Sequence, residues 1–282
     1  MNMMRASPVI EAKTLRVALP DRSQKPLFGA PPLIEILKGV DVSVRTGESV
    51  GIVGESGSGK TTLGRALLRL YEPVGGSIVF EGTDITHLGE AALRPLRARM
   101  QMIFQDPQSS LNPRHKIGAI VAQPLFVLKR IRSRAEARDA VEMLLQRVGM
   151  SSDLQDRYPH QLSGGQRQRV GIARAIAVEP SFIVADEIVS GLDVSVQAQI
   201  LALLKELQRE MGLAMIFISH DLSVVRAMCD RVVVMRLGEV VEEKSCADIF
   251  SNPQHPYTRS LLDAIPLPDV DLNWLWEHGS AP

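Results

Sequence analysis

The chain has little cysteine, no excess charge of either sign and no long hydrophobic run. Only Cys229 and Cys246 are cysteines among 282 residues, which excludes a disulfide framework and a cysteine metal quartet. Basic and acidic side chains each number 32, so no overall electric field favours nucleic acid as a partner. The longest apolar runs, such as 213–218, are far too short to span a bilayer.

The N-terminus also lacks the basic-then-apolar pattern of a signal peptide, so we expect the chain to stay in the cytosol. Hydrophobic residues make up 45% of the chain, enough to bury one large α/β core or two modest ones. Strand and helix patterns alternate along much of it, which predicts a largely parallel sheet with ligands at the carboxyl ends of the strands.

The most informative stretch is a glycine-rich loop between an apolar run at 49–53 and a helical pattern. Strand, glycine loop and helix in this order are what a phosphate-binding P-loop requires, and they disfavour an ordinary Gly/Ser loop. Lys60 is predicted to reach the β- and γ-phosphates of a nucleotide, and the Thr61 hydroxyl to ligate Mg²⁺. The loop residues predicted to bind the nucleotide are Gly54, Glu55, Ser56, Gly57, Ser58, Gly59, Lys60, Thr61 and Thr62.

Other elements follow from the hydrophobic patterns. Strands are predicted at 9–19, 34–44, 78–80, 100–104, 181–185, 214–219 and, as a hairpin, 231–237 with 239–242. Helices are predicted at 90–97, 166–178 and 194–211, and the helical spacing of 114–160 indicates a helical insertion. Phe28 lies in a Pro-rich loop, where it either packs against the protein or stacks on an adenine; both interpretations stay open.

Two acidic residues follow the predicted strand 181–185. Asp186 is placed like the acid that supports Mg²⁺ in P-loop enzymes, and Glu187 can polarise a water for in-line attack on the γ-phosphate. The pair therefore predicts hydrolysis rather than transfer to a bound acceptor. Two solvated acids at the end of a strand are the alternative.

The segment 162–166 (Leu-Ser-Gly-Gly-Gln) opens another predicted helix and could form a second anion site. One nucleotide needs only one P-loop, so this second site could serve the nucleotide of a neighbouring subunit. We favour that interpretation over a plain helix N-cap. A P-loop kinase is disfavoured because the second site would have no role in it.

Taken in order, these motifs resemble the nucleotide-binding subunits of ABC transporters over nearly the whole chain. The resemblance rests on the loop 54–61, Gln105, 162–166, Asp186-Glu187, 190–193 and His220. Segments 105–114, 157–160 and 255–258 are similar to the oligopeptide, dipeptide and nickel importer branch, and in detail to the second ATPase of such importers.

The resemblance implies an α/β P-loop NTPase fold of the ABC ATPase type. Such a fold has a mostly parallel core sheet, an antiparallel β subdomain and an inserted helical subdomain. The implied ABC ATPase domain is 9–265, with the helical subdomain at about 106–175 and a poorly ordered C-terminal tail at 266–282.

The resemblance also implies roles for single residues. Two ATPase domains would pair head to tail. A histidine at the end of a strand is more often simply packed against the protein, so the role of His220 depends on its place in the ordered set of motifs. The catalytic residues would be Glu187, His220 and Gln105. The Mg²⁺ ligands would be Thr61, Gln105 and Asp186. The remaining residues of the nucleotide site would be Ser163, Gly164, Gly165 and Gln166, which would reach the partner's nucleotide, and Asp193, which would communicate across the dimer.

The implied activity is hydrolysis of ATP, with Mg²⁺, coupled to import of peptides or a similar small solute. The implied partners are a second ABC ATPase, two multi-spanning permeases that contact the surface near 105–125 and, indirectly, an extracytoplasmic binding protein. A heterodimer is favoured and a homodimer stays open. The implied location is peripheral, on the cytoplasmic face of the inner membrane. Nucleic acid is not an implied partner. A soluble ABC-type ATPase acting on DNA or ribosomes is the alternative.

Three features depart from the family pattern. Ile188 replaces the usual proline after the catalytic glutamate, and Gly191 replaces a frequent alanine, which could loosen the dimer contact. The cysteine-rich C-terminal extension of many peptide-importer ATPases is absent, so we expect no iron–sulfur cluster.

Overall fold

A computed structural model of the chain describes residues 7–21, 29, 31–106 and 110–264. Within these ranges the chain forms two compact units. Unit 1 contains the residues up to 93 together with those from 214 onward, and unit 2 contains 94–213. Phe28 and the predicted tail at 266–282 lie outside the described residues.

The strands and helices that the sequence predicts have counterparts close to the predicted positions. The strands are β1 Ile10–Pro20, β2 Leu33–Val44, β3 Ser49–Val53, β4 Gly75–Phe80, β5 Thr83–Asp84, β6 Met100–Ile103, β7 Phe182–Asp186, β8 Ala214–Ile218, β9 Arg231–Arg236 and β10 Glu239–Ser245. The helices are α1 Lys60–Leu67, α2 Glu90–Arg97, α3 Ile117–Val127, α4 Arg134–Arg147, α5 Gly164–Ile176, α6 Val194–Met211, α7 Leu222–Met228, α8 Cys246–Ser251 and α9 Pro256–Asp263.

Unit 1 contains two sheets of different character. One is antiparallel in the order β2-β1-β4-β5, and in β1 and β2 buried residues are interspersed with exposed ones, as expected when one face of a sheet is solvated. The other has the order β10-β9-β3-β8, in which β3 pairs in parallel with both β8 and β9. Every residue of β3 and β8 is buried, as continuous apolar runs predict for parallel strands.

Unit 2 combines a parallel strand pair with a group of helices. Strands β6 and β7 run in parallel, with Ile103 opposite Ala185. The insertion predicted at 114–160 is helical: it contains α3, α4 and two short 3-10 helices at 152–156 and 159–161. Helices α3, α4 and α5 contact one another, and aliphatic residues such as Val121 in α3 and Leu145 in α4 are buried. The domain boundaries drawn from the sequence stay predictions.

Both boundaries of one predicted helix were wrong. The helix expected over 166–178 is α5, which begins at Gly164 and ends at Ile176. It begins earlier because the Ser163 side chain accepts a hydrogen bond from the Gln166 N–H and so caps the helix before both glycines. Among the described residues, no helix combines the length and the apolar character needed to cross a membrane.

The last helix of unit 1 is held by a buried carboxylate. Glu242, in β10, accepts hydrogen bonds from the backbone N–H groups of Gln254 (2.8 Å) and His255 (2.9 Å). His255 in turn caps α9, because its Nδ1 accepts the Tyr257 N–H at 3.1 Å. Burial alone would raise the pKa of Glu242, but the hydrogen bonds from the two N–H groups and the ion pair with Lys244 (3.1 Å) outweigh it and lower the pKa to about 2.

We predict that Glu242→Gln lowers the free energy of unfolding at pH 7 by about 1–3 kcal/mol, because it weakens two buried hydrogen bonds to a charged acceptor. The ordinary pKa of a glutamate is 4.5, so the stabilisation by Glu242 is complete above that pH and is lost as the pH falls towards about 2. Urea unfolding at several pH values between 7 and 3 should show that the difference in free energy of unfolding between wild type and Glu242→Gln becomes smaller as the pH falls.

The matched control is Glu239→Gln, at an exposed position of the same strand. It should change stability by less than about 0.5 kcal/mol at any of these pH values. A Glu242→Gln deficit that is the same at pH 7 and pH 3 would contradict the assignment.

Candidate active site

In unit 1 two predicted site segments follow neighbouring parallel strands. Ile52 of β3 lies opposite Ile218 of β8. The glycine loop follows β3 and His220 follows β8, so both lie at the carboxyl edge of the sheet. This is the edge at which parallel sheets bind ligands. His220 is exposed there.

The loop directs its lysine inward. Lys60 is only 7% exposed, and its Nζ donates to the carbonyl oxygens of Gly54 (2.7 Å) and Glu55 (2.8 Å). Helix α1 begins at this lysine, directly after Gly59 with a φ of +102°. The ammonium group therefore lies at the positive end of α1 and inside the turn of the loop.

The same loop fits a phosphate chain. Gly54 has a φ of +145°, and a Cβ there would lie well inside van der Waals contact of the Met235 carbonyl oxygen, so no other residue fits. The Ser58 hydroxyl is buried without a hydrogen-bond partner among the described residues. A backbone turn without side chains, a buried hydroxyl and a lysine at a helix N-terminus together suit a nucleoside triphosphate.

The loop is also held from outside by residues that sequence reasoning missed. The Gly238 N–H donates to the Ser58 carbonyl at 3.1 Å, and the Glu55 N–H donates to the Tyr257 hydroxyl at 2.9 Å. The Arg236 guanidinium lies 5.0 Å from the centre of the Tyr257 ring. The sequence contained Tyr257 only as part of the importer-branch motif at 255–258, which gave no sign of this contact.

In unit 2 the strand register brings two predicted catalytic residues together. Ile103 and Ala185 are opposite each other, and Gln105 and Glu187 each lie two residues further on. The Gln105 Nε2 donates to the Glu187 Oε2 at 2.6 Å. The register thus explains a contact between residues that are 82 positions apart in the chain.

Glu187 has an uncommon backbone conformation. Its φ is +46°, in the left-handed region that costs a residue with a Cβ on the order of 1 kcal/mol. Asp186 before it is the last residue of β7 and is 2% exposed. Unit 2 therefore offers a buried carboxylate and, one residue further on, a carboxylate that is paired with an amide and suited to orient a water.

The predicted second anion site is a well-formed helix N-terminus. The Gln166 N–H donates to the Ser163 Oγ (3.2 Å), and the Ser163 N–H donates to the Gln166 Oε1 (3.0 Å). The helix-cap interpretation that the sequence disfavoured is thus correct for these two side chains. The cap does not use the N–H groups of Gly164 and Gly165, which belong to the first turn and have no intrahelical partner.

The same helix start packs against the segment that follows Glu187. A Cβ on Gly165 would overlap Val196 Cγ1, and one on Gly164 would lie 3.4 Å from a Leu192 methyl carbon. Asp193 caps α6: it accepts from the Val196 N–H (3.0 Å) and the Ser195 hydroxyl (2.9 Å), which lower the pKa of its carboxyl. Within unit 2 the segments 163–166 and 192–196 therefore form one packed cluster.

The two residue replacements that depart from the family pattern, Ile188 and Gly191, both lie among the described residues. Ile188 is 1% exposed and belongs to the core of unit 2. Gly191 has a φ of +74°, a conformation that suits glycine better than the alanine frequent at this position. The adenine contact proposed for Phe28 falls outside the described residues.

Comparison with protein families finds two matching regions. Residues 37–190, more than half of the chain, match the family model described as ABC transporter. Residues 241–280 match the model described as the C-terminal region of oligopeptide/dipeptide transporters.

Curated relatives match over most of their length. A Brucella ovis protein named for peptide import as an ATP-binding protein is 53% identical over 238 residues, which are 84% of this chain and 75% of the relative. The oligopeptide transport ATP-binding protein OppF of Salmonella typhimurium is 46% identical over 265 residues, 94% of this chain and 79% of the relative.

Solved structures match as well. The ATP-binding cassette MJ0796, solved as a dimer in a post-hydrolysis state with ADP and Pi, has a TM-score of 0.74 and 30% identity over 84% of this chain and 98% of its own. The cbiO1 protein of Clostridium perfringens, part of the ABC transporter complex cbiONQ, has a TM-score of 0.72 and 28% identity over 87% of this chain and 91% of its own.

We predict that Gly165→Ala lowers the free energy of unfolding by about 1–3 kcal/mol, because the new methyl group overlaps Val196. Adding Val196→Ala should recover most of this loss, since it removes the overlapping methyl group. Denaturant unfolding of the single and double variants measures both effects.

Gly171→Ala is the matched control, because it lies in the same helix and a Cβ there meets nothing within 4 Å. It should be neutral or stabilising by up to about 1 kcal/mol, as expected for glycine to alanine within a helix. The packing argument fails if both alanine variants shift stability in the same direction.

Proposed function

This chain belongs to the ABC transporter family, and from that premise we propose that it is the subunit that binds and hydrolyses ATP to drive uptake of peptides. Two observations support peptides as the solute: 46% identity to OppF over 94% of the chain, and the match of 241–280 to the oligopeptide/dipeptide transporter region. A soluble ABC-type ATPase acting on DNA or ribosomes is not favoured by relatives named for peptide transport.

The glycine loop is proposed to hold the triphosphate. Its backbone N–H groups and the positive end of α1 would bind phosphate oxygens, and the Lys60 ammonium would donate to the β- and γ-phosphates. The buried Ser58 hydroxyl lies in the same turn and has no other partner among the described residues. We therefore propose that unit 1 binds the triphosphate of the nucleotide.

Mg²⁺ fits oxygen donors of the kinds that Thr61 in unit 1 and Gln105 and Asp186 in unit 2 offer, which are hydroxyl, amide and carboxylate groups. We propose that Thr61, Gln105 and Asp186 would hold it. The ion would neutralise charge on the phosphate oxygens when bound.

The observation that carries hydrolysis is the Gln105–Glu187 hydrogen bond of 2.6 Å. The amide orients a carboxylate that can accept the proton of a water attacking the γ-phosphate. We assign Glu187 as the general base, Gln105 as its positioning partner and His220 as a γ-phosphate contact. His220 follows the strand next to the glycine loop, which supports this role.

We further propose that two ATPase subunits pair head to tail. The Gly164 and Gly165 N–H groups lack intrahelical partners and lie at a positive helix end, so they suit the phosphates of a neighbouring subunit. Ser163 and Gln166 hold this helix end in place, and Asp193 fixes the adjacent turn. A related second ATPase is the proposed partner, with a homodimer as the other arrangement.

The family also implies membrane permeases as partners. We propose that they contact the surface near 105–125 and place this subunit peripherally on the cytoplasmic face of the inner membrane. ATP would close the ATPase pair, and hydrolysis would reopen it. ATP would bind the closed pair more tightly than the open pair, and this difference in affinity would shift the equilibrium towards the closed pair.

We predict that Glu187→Gln leaves ATP binding within about twofold of wild type and lowers turnover by 10²- to 10⁴-fold, because the proton acceptor is lost. Closed dimers should accumulate with ATP and be visible by size-exclusion chromatography. Unchanged turnover would disprove the assignment of the base.

The matched control is Glu179→Gln. Glu179 is another glutamate of unit 2 with a positive φ (+51°), but it is exposed and pairs with Arg130 at 3.6 Å. Its variant should bind and hydrolyse ATP like wild type.

The proposed transport role has its own test. Expressed with candidate permeases, a second ATPase and a peptide-binding protein and reconstituted in liposomes, the chain should support ATP-dependent uptake of short peptides, and Glu187→Gln should abolish that uptake. A complex that hydrolyses ATP but accumulates no peptide would leave the ATPase assignment intact and contradict peptide import.

A further inference from the structure

The beginning of the glycine loop is attached to the C-terminal part of unit 1. The Glu55 N–H donates to the Tyr257 hydroxyl at 2.9 Å, across 202 positions of sequence. Glu55 is the first residue after Gly54, whose conformation is required by its close approach to the Met235 carbonyl. The hydroxyl therefore holds the backbone where β3 turns into the loop.

The tyrosine that makes this contact is itself held firmly. Its side chain is largely buried, with the residue 7% exposed, and its ring lies against the Arg236 guanidinium at 5.0 Å. Arg236 itself is exposed, and a cation over an aromatic face is favourable at exposed sites as well. The hydroxyl thus presents a fixed acceptor rather than a mobile one.

The helix that carries Tyr257 is anchored by Glu242. The carboxylate of Glu242 accepts the N–H groups of Gln254 and His255, directly before α9 begins. Charged acceptors make stronger hydrogen bonds to N–H groups than neutral ones do. A continuous series of contacts therefore runs from Glu242 through the start of α9 to Tyr257 and on to Glu55.

The loop has a second contact with the same part of the chain. The Gly238 N–H donates to the Ser58 carbonyl at 3.1 Å, in the turn between β9 and β10. The loop is thus fixed at two of its own residues, Glu55 and Ser58. The Gly238–Ser58 hydrogen bond joins two backbone atoms, so no side-chain substitution removes it directly. The Tyr257–Glu55 hydrogen bond is lost when the tyrosine hydroxyl is removed.

We propose that Tyr257 is a positioning residue for the nucleotide: its hydroxyl fixes the Glu55 N–H and thereby sets the glycine loop in the conformation that receives phosphate. Glu242 acts on nucleotide affinity through Tyr257. The inference rests on the proposed function, because it assumes that this loop binds the triphosphate of ATP. The segment 254–258 would then help to position the nucleotide-binding loop. The sequence analysis used this part of the chain only for its similarity to the importer branch.

The test compares the full-length chain with Tyr257→Phe, which keeps the ring and the Arg236 contact and removes only the hydroxyl. The probe is the non-hydrolysable analogue AMP-PNP with Mg²⁺, titrated by isothermal calorimetry. Tyr257→Phe should raise its Kd by about 3- to 10-fold, as expected for loss of one hydrogen bond that orders the loop. In ATP turnover, KM should rise while kcat stays the same, since Gln105 and Glu187 are untouched.

Tyr71→Phe is the matched control. The Tyr71 hydroxyl also accepts a hydrogen bond, from Arg65 Nη1 at 3.0 Å, and Arg65 lies in α1, outside the loop. Its variant should bind AMP-PNP like wild type. Equal weakening by both variants, or none by Tyr257→Phe, would overturn the proposal.

Failure of the proposal and failure of the proposed function give different results. If wild type binds AMP-PNP and Tyr257→Phe binds it equally well, only the positioning role is wrong. If wild type itself does not bind AMP-PNP, the nucleotide function is wrong.

A double-mutant cycle tests the route from Glu242. Glu242→Gln alone should raise the Kd, and the double variant Glu242→Gln/Tyr257→Phe should be no weaker than the weaker of the two single variants. Fold-changes that multiply in the double variant would show that Glu242 acts independently of Tyr257, against the proposal.

Discussion

The Gly54 backbone lies so close to the Met235 carbonyl that only glycine fits there. The proposed nucleotide-binding loop of unit 1 depends on this constraint. A polyanion is most easily held by backbone N–H groups that face one point, and this demands a turn without side chains at its entry. Gly54 meets that demand at a place where a Cβ has no room. The lysine, the buried serine and the start of α1 follow from the same turn, because they take their directions from it.

Much of this arrangement could be predicted from the sequence, and the reason is local. The loop, the strand that precedes it and the helix that follows it are contiguous, so residue types at fixed spacing carry the information. The bounds of α2 and α6 were predicted correctly for the same reason. The contact between Gln105 and Glu187 depends on the pairing of β6 with β7, which no local pattern contains.

Other features could not be predicted because they arise from tertiary contacts. The Tyr257 hydroxyl bond to Glu55 joins distant segments, and tyrosine in an amphipathic helix has no distinguishing pattern. The start of α5 was misplaced because the cap at Ser163 was disfavoured as an explanation of that segment. A hydroxyl accepts and donates at the same time, so a serine that caps its own helix can still donate to an anion. The two interpretations of Ser163 are therefore compatible.

The attachment of the loop to Gly238 and Tyr257 has a consequence for synthesis of the protein. Ribosomes add about 5–20 residues per second, so roughly 10–40 s pass between translation of Glu55 and translation of Tyr257, 202 positions later. During that interval the nascent chain carries a glycine loop without its outer supports. A chain cut short before residue 257 would keep every motif that defines the loop and lack the part that holds it in shape.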